Sequence, residues 1–262
     1  MYCEQGTGDM IQFVRYVPRL TAMEANVILD VPPSLETLFT PFGKTRIEYR
    51  DEPYDYHCSI LSLIYLLNIP QGEYAENVPY LEAQPLLDMT DYASNFKIGI
   101  VWAGNPGHPN DINRSCHLSL FRKIANLPNV KLFSLQKETS KRVYSSNPNN
   151  QIDLSDNCDD LKVVDMADFL IDYKATASVV NEMDLIITVD TSVLHLAGAL
   201  GKETWGLIPY NPDWRWQASG STNVWYPSVI LYRQQVPGDW ESVFEKIYQD
   251  LRVLYHENLL SN

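Results

Sequence analysis

Residues Leu185–Gly201, LIITVDTSVLHLAGALG, form an apolar run that is interrupted once by a polar corner. The first part, Leu185–Val189, is short and rich in β-branched residues, which predicts a strand buried on both faces. Asp190 then stands where the N-cap of a helix is expected, and Gly201 stands where that helix ends. A strand that runs directly into a helix is typical of a parallel α/β sheet.

The polar corner carries the groups of an anion site. Thr191 and Ser192 fall in the first helical turn, whose backbone N–H groups have no partner within the helix and lie at its positive end. His195 follows one turn after Thr191 on the same face. Taken singly, each residue is an ordinary first-turn or buried side chain. Taken together, they favour a phosphate or nucleotide site at the carboxyl edge of a sheet.

Composition limits the class of protein. The 262 residues suffice for one large or two small α/β domains, and 45% of them are apolar, as in a globular protein. A net charge of −13 argues against a nucleic-acid partner, because binding a phosphate backbone requires clustered Lys and Arg. The four cysteines lack CxxC spacing and predict neither a zinc site nor a disulfide framework. No secretory signal or bilayer-spanning run is evident, so we expect a cytoplasmic protein without an integral membrane segment.

Strand-like and helix-like segments alternate along the chain, most clearly in its second half. Alternation of this kind predicts parallel sheets with right-handed crossovers. We place a boundary between residues 94 and 95, which gives two Rossmann-like domains, 1–94 and 95–262, facing a cleft. The last helix is expected to pack back on the first domain. The predicted strands of the second domain are Phe96–Trp102, Val130–Leu135, Leu185–Val189, Thr204–Ile208 and Val229–Arg233.

The chain opens on a glycine-containing loop, Glu4–Asp9. A helix is predicted over Met10–Leu20, with Asp9 as its N-cap. In a βαβ unit such a loop follows a strand, yet only Tyr2 and Cys3 are available to form one. We therefore expect a shortened first domain whose first strand is nearly missing.

Two further polar stretches follow predicted strands of the second half. Trp102–Pro106 (WAGNP) leads through a polar loop to Arg114, and Ser134–Lys137 (SLQK) places Lys137 at a carboxyl end. Because ligands of open α/β sheets bind beside the carboxyl ends of strands, both cations are predicted to reach the same anion as the helix that follows Asp190. Each cation is equally typical of an exposed surface residue.

Six motifs follow one another along the chain. They are EQGTGD at Glu4–Asp9, WAGNP at Trp102–Pro106, NDINRS at Asn110–Ser115, SLQK at Ser134–Lys137, VDTSVLHLAGALG at Val189–Gly201 and PDWRW at Pro212–Trp216. Taken in this order, they resemble the glycosyltransferase domain of bacterial tetratricopeptide-repeat proteins, and the resemblance covers nearly the whole chain. That domain is related to the heptosyltransferase family (glycosyltransferase family 9) and more remotely to O-linked N-acetylglucosamine transferases.

The resemblance implies a GT-B fold, with an acceptor held mainly by residues 1–94 and a nucleotide-sugar donor held mainly by residues 95–262. It implies that Lys137 neutralises the departing diphosphate and that Asp9 is the candidate general base. An ordinary helix N-cap would account for an aspartate at position 9 equally well. His57 is the alternative base or acceptor contact. The donor, a UDP, GDP or ADP sugar, is expected to contact Trp102, Asn105, Arg114, Ser115, Gln136, Lys137, Asp190, Thr191, Ser192, His195 and Asp213.

The implied reaction is a metal-independent, inverting glycosyl transfer that needs no cofactor, to an unknown glycan, lipid-linked or protein acceptor. The chain departs from the family pattern in its nearly absent first strand and in the lack of preceding tetratricopeptide repeats. Two alternatives follow from this. One is a GT-B-fold nucleotide-sugar epimerase or hydrolase, and the other is a non-catalytic nucleotide-sugar-binding module that is the relic of a longer protein.

Overall fold

A computed structural model of the chain describes residues 1–46, 53–137 and 161–260, with side chains up to residue 254. Its strands form two sheets in which neighbouring strands run parallel. The strands are Ile28–Asp30 (β1), Lys44–Arg46 (β2), Phe96–Val101 (β3), Val130–Ser134 (β4), Val164–Asp165 (β5), Leu185–Val189 (β6), Thr204–Ile208 (β7) and Val229–Arg233 (β8).

Short helices connect the strands, as expected for parallel pairing. The α-helices are Thr7–Phe13 (α1), Val17–Ala22 (α2), Glu36–Phe39 (α3), Leu63–Leu66 (α4), Asp111–Arg114 (α5), Arg122–Ala125 (α6), Tyr173–Asn181 (α7), Ser192–Ala199 (α8) and Trp240–Leu260 (α9). Within the described ranges, no helix is both long enough and apolar enough to cross a membrane.

The larger sheet has the order β5-β4-β3-β6-β7-β8. Counted from β3, this is the Rossmann order 3-2-1-4-5-6, which reverses direction between β3 and β6. The crevice outside the carboxyl ends of these two strands is where such sheets bind ligands. Val101 and Val189 end β3 and β6, so the WAGNP loop and the polar corner meet at this switch point.

The smaller sheet pairs β1 with β2, and Tyr2 extends it as a single bridging residue. Tyr2 forms parallel bridges to both Asp30 and Ser59, and its N–H donates to the Cys58 carbonyl at 3.2 Å. Tyr2 therefore lies beside β1, where the sequence places the expected first strand.

The first helical segment differs from its prediction. Instead of one helix over Met10–Leu20, the chain forms α1, a 3-10 turn and α2. The prediction that Asp9 is the N-cap is wrong, because Gly6 holds that position in an extended conformation. Asp9 is the third helical residue, and its Oδ2 reaches back to accept the Gly6 N–H at 2.7 Å, as in a capping box.

The N-terminal helix lies directly against α8. A Cβ on Gly8 would come within 2.7 Å of the His195 ring and 3.4 Å of the Ser192 Cα, so the glycine permits this close approach. Arg15, which is 3% exposed, donates from Nη1 to the carbonyls of Tyr74 and Trp225 at 2.8 Å each. The glycine loop is thereby held beside the polar corner.

The C-terminal helix α9 packs on the larger sheet. Its Phe244 ring meets Phe121 edge to face with centroids 4.7 Å apart, and Glu245 pairs with Lys123 at 2.6 Å. Tyr232 on β8 donates to Asp250 at 2.9 Å. These contacts lie within the second half of the chain, whereas the sequence places the helix on the first domain.

Candidate functional site

The helix at the polar corner begins one residue later than predicted. Thr191, not Asp190, is the N-cap of α8, with φ −137° and ψ 176°, so the prediction for Asp190 is wrong. The Thr191 side chain does not cap the helix, and its Oγ1 instead lies 3.3 Å from Thr188 Oγ1 on β6. The Leu194 N–H donates to the Thr191 carbonyl at 3.0 Å, whereas the Thr191 side chain leaves the N–H groups of Ser192 and Val193 available to an external acceptor.

A cavity of about 330 Å³, here called the corner cavity, opens at this helix start. Five predicted donor contacts line it together, namely Asn105, Gln136, Lys137, Thr191 and Ser192. The rest of its wall is formed by Ser34, Val101, Ala103, Gly104, Pro106, Leu135, Leu170, Asp172, Tyr173, Thr176 and Val193.

Lys137 is the one cation among the residues that line the corner cavity. It is exposed, and its Nζ lies 3.4 Å from the Ile171 carbonyl. The ammonium group and the start of α8 thus lie on one cavity, as their positions at two strand ends predict. A cation and free helix N–H groups are together suited to a diphosphate.

Two other predicted contacts support the cavity wall from behind. Ser115 Oγ accepts the Gly104 N–H at 3.0 Å, and Arg114 Nη1 donates to the Asp190 carbonyl at 2.9 Å. A Cβ on Gly104 would lie 2.4 Å from Arg114 Nη2, so the guanidinium packs against the bare backbone. Arg114 and Ser115 therefore hold the WAGNP loop against the polar corner. They do not line the cavity.

Trp102, His195 and Asp213 are also outside the cavity lining. Trp102 is 3% exposed beneath the loop, and Asp213 Oδ1 accepts the Arg215 N–H at 3.0 Å. His195 is buried between Trp216, on which its ring stacks at 5.3 Å, and Tyr226, whose hydroxyl lies 3.0 Å from Nδ1.

The buried histidine is neutral. Burial is the largest cause that lowers the pKa of His195 to about 3, and the charges of Arg215 and Arg15 act in the same direction. A neutral imidazole does not supply positive charge to a phosphate. In this structure His195 joins the two halves of the chain instead.

Sequence reasoning missed two residues that shape the cavity. Tyr173 donates from its hydroxyl to Ser192 Oγ at 2.7 Å. Asp172 caps α7 by accepting the Ala175 N–H at 2.7 Å, and it also accepts the Thr37 hydroxyl of the first half at 2.9 Å. An aspartate directly before a helical segment is a recognisable N-cap signal, whereas nothing local in the sequence marks Tyr173.

A second group of polar residues lies where α1 meets the PDWRW segment. It consists of Asp9, Gln12, Asp213 and Arg215 and is called the Arg215 cluster below. Arg215 pairs with Asp9 through Nη2, with Asp213 through Nη1 at 2.9 Å and with Gln12 Oε1 through Nε at 2.8 Å. Burial is the main cause that raises the pKa of Asp9, against the opposing effect of Arg215.

The alternative base, His57, lies elsewhere on the first half. It is exposed, with its ring centroid 5.4 Å from that of Tyr54 and 6.3 Å from that of Tyr2. Asp9, in contrast, contacts the second half directly through Arg215. Of the two candidate bases, Asp9 is the one joined to the segment that carries the donor motifs.

The half-buried Asp190 and the buried His195 act in opposite directions on stability as the pH changes. Burial raises the pKa of Asp190 from 3.8 to about 6, more than Trp216, Arg114 and Arg215 lower it. The protonated Asp190 carboxyl therefore stabilises the folded state. This contribution is fully present below pH 3.8 and is lost as the pH rises through about 6. His195 has the reverse effect, since its pKa falls from 6.5 to about 3, so acidification through that window destabilises the fold.

Between about pH 4 and pH 6 we expect the pH dependences of stability due to Asp190 and His195 to offset each other in the wild type. Replacing either residue leaves the pH dependence of the other. We expect Asp190→Asn to lose stability on acidification between about pH 6 and pH 4, more steeply than the wild type by about 1.4 kcal/mol per pH unit. The stability of His195→Gln is expected to rise on acidification over the same interval, with a slope of the same size and opposite sign. Urea unfolding of the three proteins at several pH values measures this. Parallel curves for all three would contradict the assignment.

Known proteins resemble the chain in fold and not in sequence. Comparison with protein families and with curated proteins gives no match. Among solved structures, the ADP-heptose LPS heptosyltransferase II of E. coli is similar with a TM-score of 0.57 and 13% identity, over 98% of each chain. The iron-containing dodecameric glycosyltransferase TibC of enterotoxigenic E. coli H10407 is similar with a TM-score of 0.56 and 11% identity, over 92% of this chain.

These likenesses confirm the predicted α/β, GT-B-like fold, since both neighbours are glycosyltransferases of that type. The chain spans 64% of the length of TibC.

Proposed function

We propose that the chain is a glycosyltransferase that moves a sugar from a nucleotide sugar to an acceptor hydroxyl. The observation that carries the proposal is the meeting of Lys137 and the uncapped start of α8 on the corner cavity at the switch point of the sheet. The fold shared with two glycosyltransferases supports it. The six motifs support a relation to the glycosyltransferase domains of tetratricopeptide-repeat proteins and to O-linked N-acetylglucosamine transferases.

The donor diphosphate lies at the start of α8. When the bond between the anomeric carbon and the diphosphate breaks, its electron pair leaves with the diphosphate. The Lys137 ammonium and the N–H groups of Ser192 and Val193 then stabilise the developing charge, because they are already oriented in the folded protein. These groups supply positive charge without a metal, and we include metal independence in the proposal. Asn105 and Gln136, which line the same cavity, border the nucleotide.

The acceptor enters from the side of the first half. Its hydroxyl oxygen attacks the anomeric carbon from the face opposite the diphosphate, and its proton passes to the Asp9 carboxylate. Attack from the opposite face inverts the anomeric configuration. The acceptor belongs to the class of glycans, lipid-linked sugars or proteins that offer a hydroxyl, and the reaction takes place in the cytoplasm.

A thermal-shift panel of UDP, GDP and ADP sugars, with the free diphosphates as controls, tests donor binding. A binder stabilises the native state by an amount that grows with the ratio of ligand concentration to Kd. The sugar nucleotide with the largest shift is then incubated with candidate acceptors and alone. Inverted product formed only with acceptor supports the transferase. Free sugar or an epimer formed without acceptor identifies the hydrolase or epimerase, and binding without turnover identifies a binding module.

A further inference from the structure

We propose that Arg215 is the positioning residue of the base, holding the Asp9 carboxylate ionised and fixed in orientation from across the two halves of the chain. This inference rests on the proposed function. It also makes a statement about Asp9 that is measurable without any substrate.

The geometry gives both oxygens of Asp9 a fixed partner. Oδ1 accepts from Arg215 Nη2, and Oδ2 accepts the Gly6 N–H at 2.7 Å. A carboxylate has about four lone-pair sites, so two such bonds orient the group and leave sites for a substrate hydroxyl. The Asp9 side chain is 15% exposed, which leaves one edge open.

Arg215 is itself held in place. Its side chain is 6% exposed, and Gln12 Oε1 and Asp213 Oδ1 accept from its Nε and Nη1 at 2.8 and 2.9 Å. Its guanidinium lies 4.5 Å over the Trp214 ring. A guanidinium fixed at this many points presents its remaining donor to Asp9 in one orientation, as its planar fork allows.

The pair spans 206 residues of sequence, so it forms only when α1 and the PDWRW segment are packed together. Asp9 lies on the half expected to hold the acceptor, and Arg215 lies on the half expected to hold the donor. The base therefore meets the partner that orients it only when the two halves are packed together. A glycine at position 8 brings α1 close enough to α8 for this contact.

The electrostatic balance at Asp9 fits a base. Burial favours the protonated carboxyl, and Arg215 opposes burial by favouring the carboxylate. A carboxylate with a raised pKa holds a transferred proton more strongly than a free aspartate does, and Arg215 favours its ionised form before the transfer. The titratable and charged groups that act on Asp9 in the described part of the chain are Cys3, His108, Asp213 and Arg215.

In the transfer step the acceptor oxygen forms a bond to the anomeric carbon while its proton moves to the open edge of Asp9. The electron pair of the broken bond leaves with the diphosphate. Protonation neutralises Asp9 and weakens its ion pair with Arg215, so the proton is released to solvent when the product departs. No further reactant is needed.

The test compares Arg215→Met with Arg215→Lys in the full chain. The pKa of Asp9 is followed by carbon NMR of labelled aspartate carboxyls, assigned with Asp9→Asn. We expect Arg215→Met to raise this pKa by about one unit or more, since an adjacent guanidinium lowers a carboxyl pKa by about 1–3 units. Arg215→Lys is expected to restore most of the wild-type value. Arg19→Met, which removes a surface arginine paired with Glu73, is the matched control and is expected to leave Asp9 unchanged.

The same variants are then assayed with the sugar nucleotide of largest thermal shift and the acceptor that gives inverted product with the wild type. The acidic limb of the pH–rate profile is expected to shift to higher pH in Arg215→Met. In Arg215→Lys it is expected to lie near its wild-type position. If Arg215→Met fails to fold, Arg215→Gln, which removes the charge and keeps hydrogen-bond donors, replaces it, with the same expected rise in the Asp9 pKa. An Asp9 pKa that is the same in wild type, Arg215→Met and Arg215→Lys overturns the positioning role. Lack of binding of any sugar nucleotide by the wild type would overturn the proposed function and leave the NMR result to decide this inference alone.

Discussion

Replacing Gly198 with alanine is expected to destabilise the protein by about 3 kcal/mol, the cost of forcing extra volume into a packed core. A Cβ at this position would lie 2.5, 2.6 and 2.9 Å from three atoms of the Tyr226 ring. The ring has no room to yield, because it is fully buried, lies 4.7 Å from the Arg15 guanidinium and bonds His195 through its hydroxyl. The helix propensity that alanine gains, about 1 kcal/mol, does not offset this overlap.

Gly72→Ala is the matched control, since Gly72 has no atom within 4 Å of an added Cβ. Its expected effect is a change within about 0.5 kcal/mol, as for a surface substitution. Urea unfolding of both variants measures the difference. Equal stabilities for Gly198→Ala and the wild type would show that α8 and Tyr226 are not packed as described.

The second large effect is expected at Lys137. Replacing it with alanine removes the one cation that lines the corner cavity. A charge-assisted bond to a phosphate contributes about 1.5–3 kcal/mol, so the Kd for a sugar nucleotide is expected to rise by about 10- to 100-fold. Turnover is expected to fall further, because the diphosphate gains charge in the transition state. Calorimetric titration and initial-rate measurements separate the two effects.

Lys174→Ala is the control for this variant. Lys174 is an exposed lysine on α7, the helix that contributes Tyr173 and Thr176 to the cavity, and does not itself line it. Removing it changes the net charge equally but leaves the cavity intact. An equal loss of binding in both variants would show a long-range charge effect and would count against a direct contact of Lys137 with the diphosphate.

The strands of the second half were predictable because they are largely buried, β6 and β7 at every residue and β8 at all but Ile230 and Arg233. Leu185–Val189, Thr204–Ile208 and Val229–Arg233 have the bounds that their apolar, β-branched runs indicate. β5 was missed because two residues, Val164 and Asp165, carry too little pattern. The alternation of strands and helices along the chain predicts a parallel sheet. It does not predict the Rossmann strand order, since the sequence does not specify which strands become neighbours.

The site was predictable where it depends on strand ends. Asn105, Lys137 and Ser192 lie on one cavity because each follows a strand of the same parallel sheet. The helix caps were not predictable in detail, since an aspartate near a helix start serves equally as the N-cap or as the third residue of a capping box. The pairing of Asp9 with Arg215 leaves no local signal at all, because it joins residues 206 positions apart.

The central claim is that a sugar nucleotide binds with its diphosphate at the start of α8. Nitrogen-15 NMR of the wild type, titrated with UDP, GDP and ADP sugars, observes this position directly through the backbone amides. We predict that one donor shifts the Ser192 and Val193 amides most strongly, together with those of Asn105 and Lys137, while amides on α9 stay unchanged. Saturable binding that leaves Ser192 and Val193 unperturbed, or the absence of binding by all three donor classes, would contradict the account.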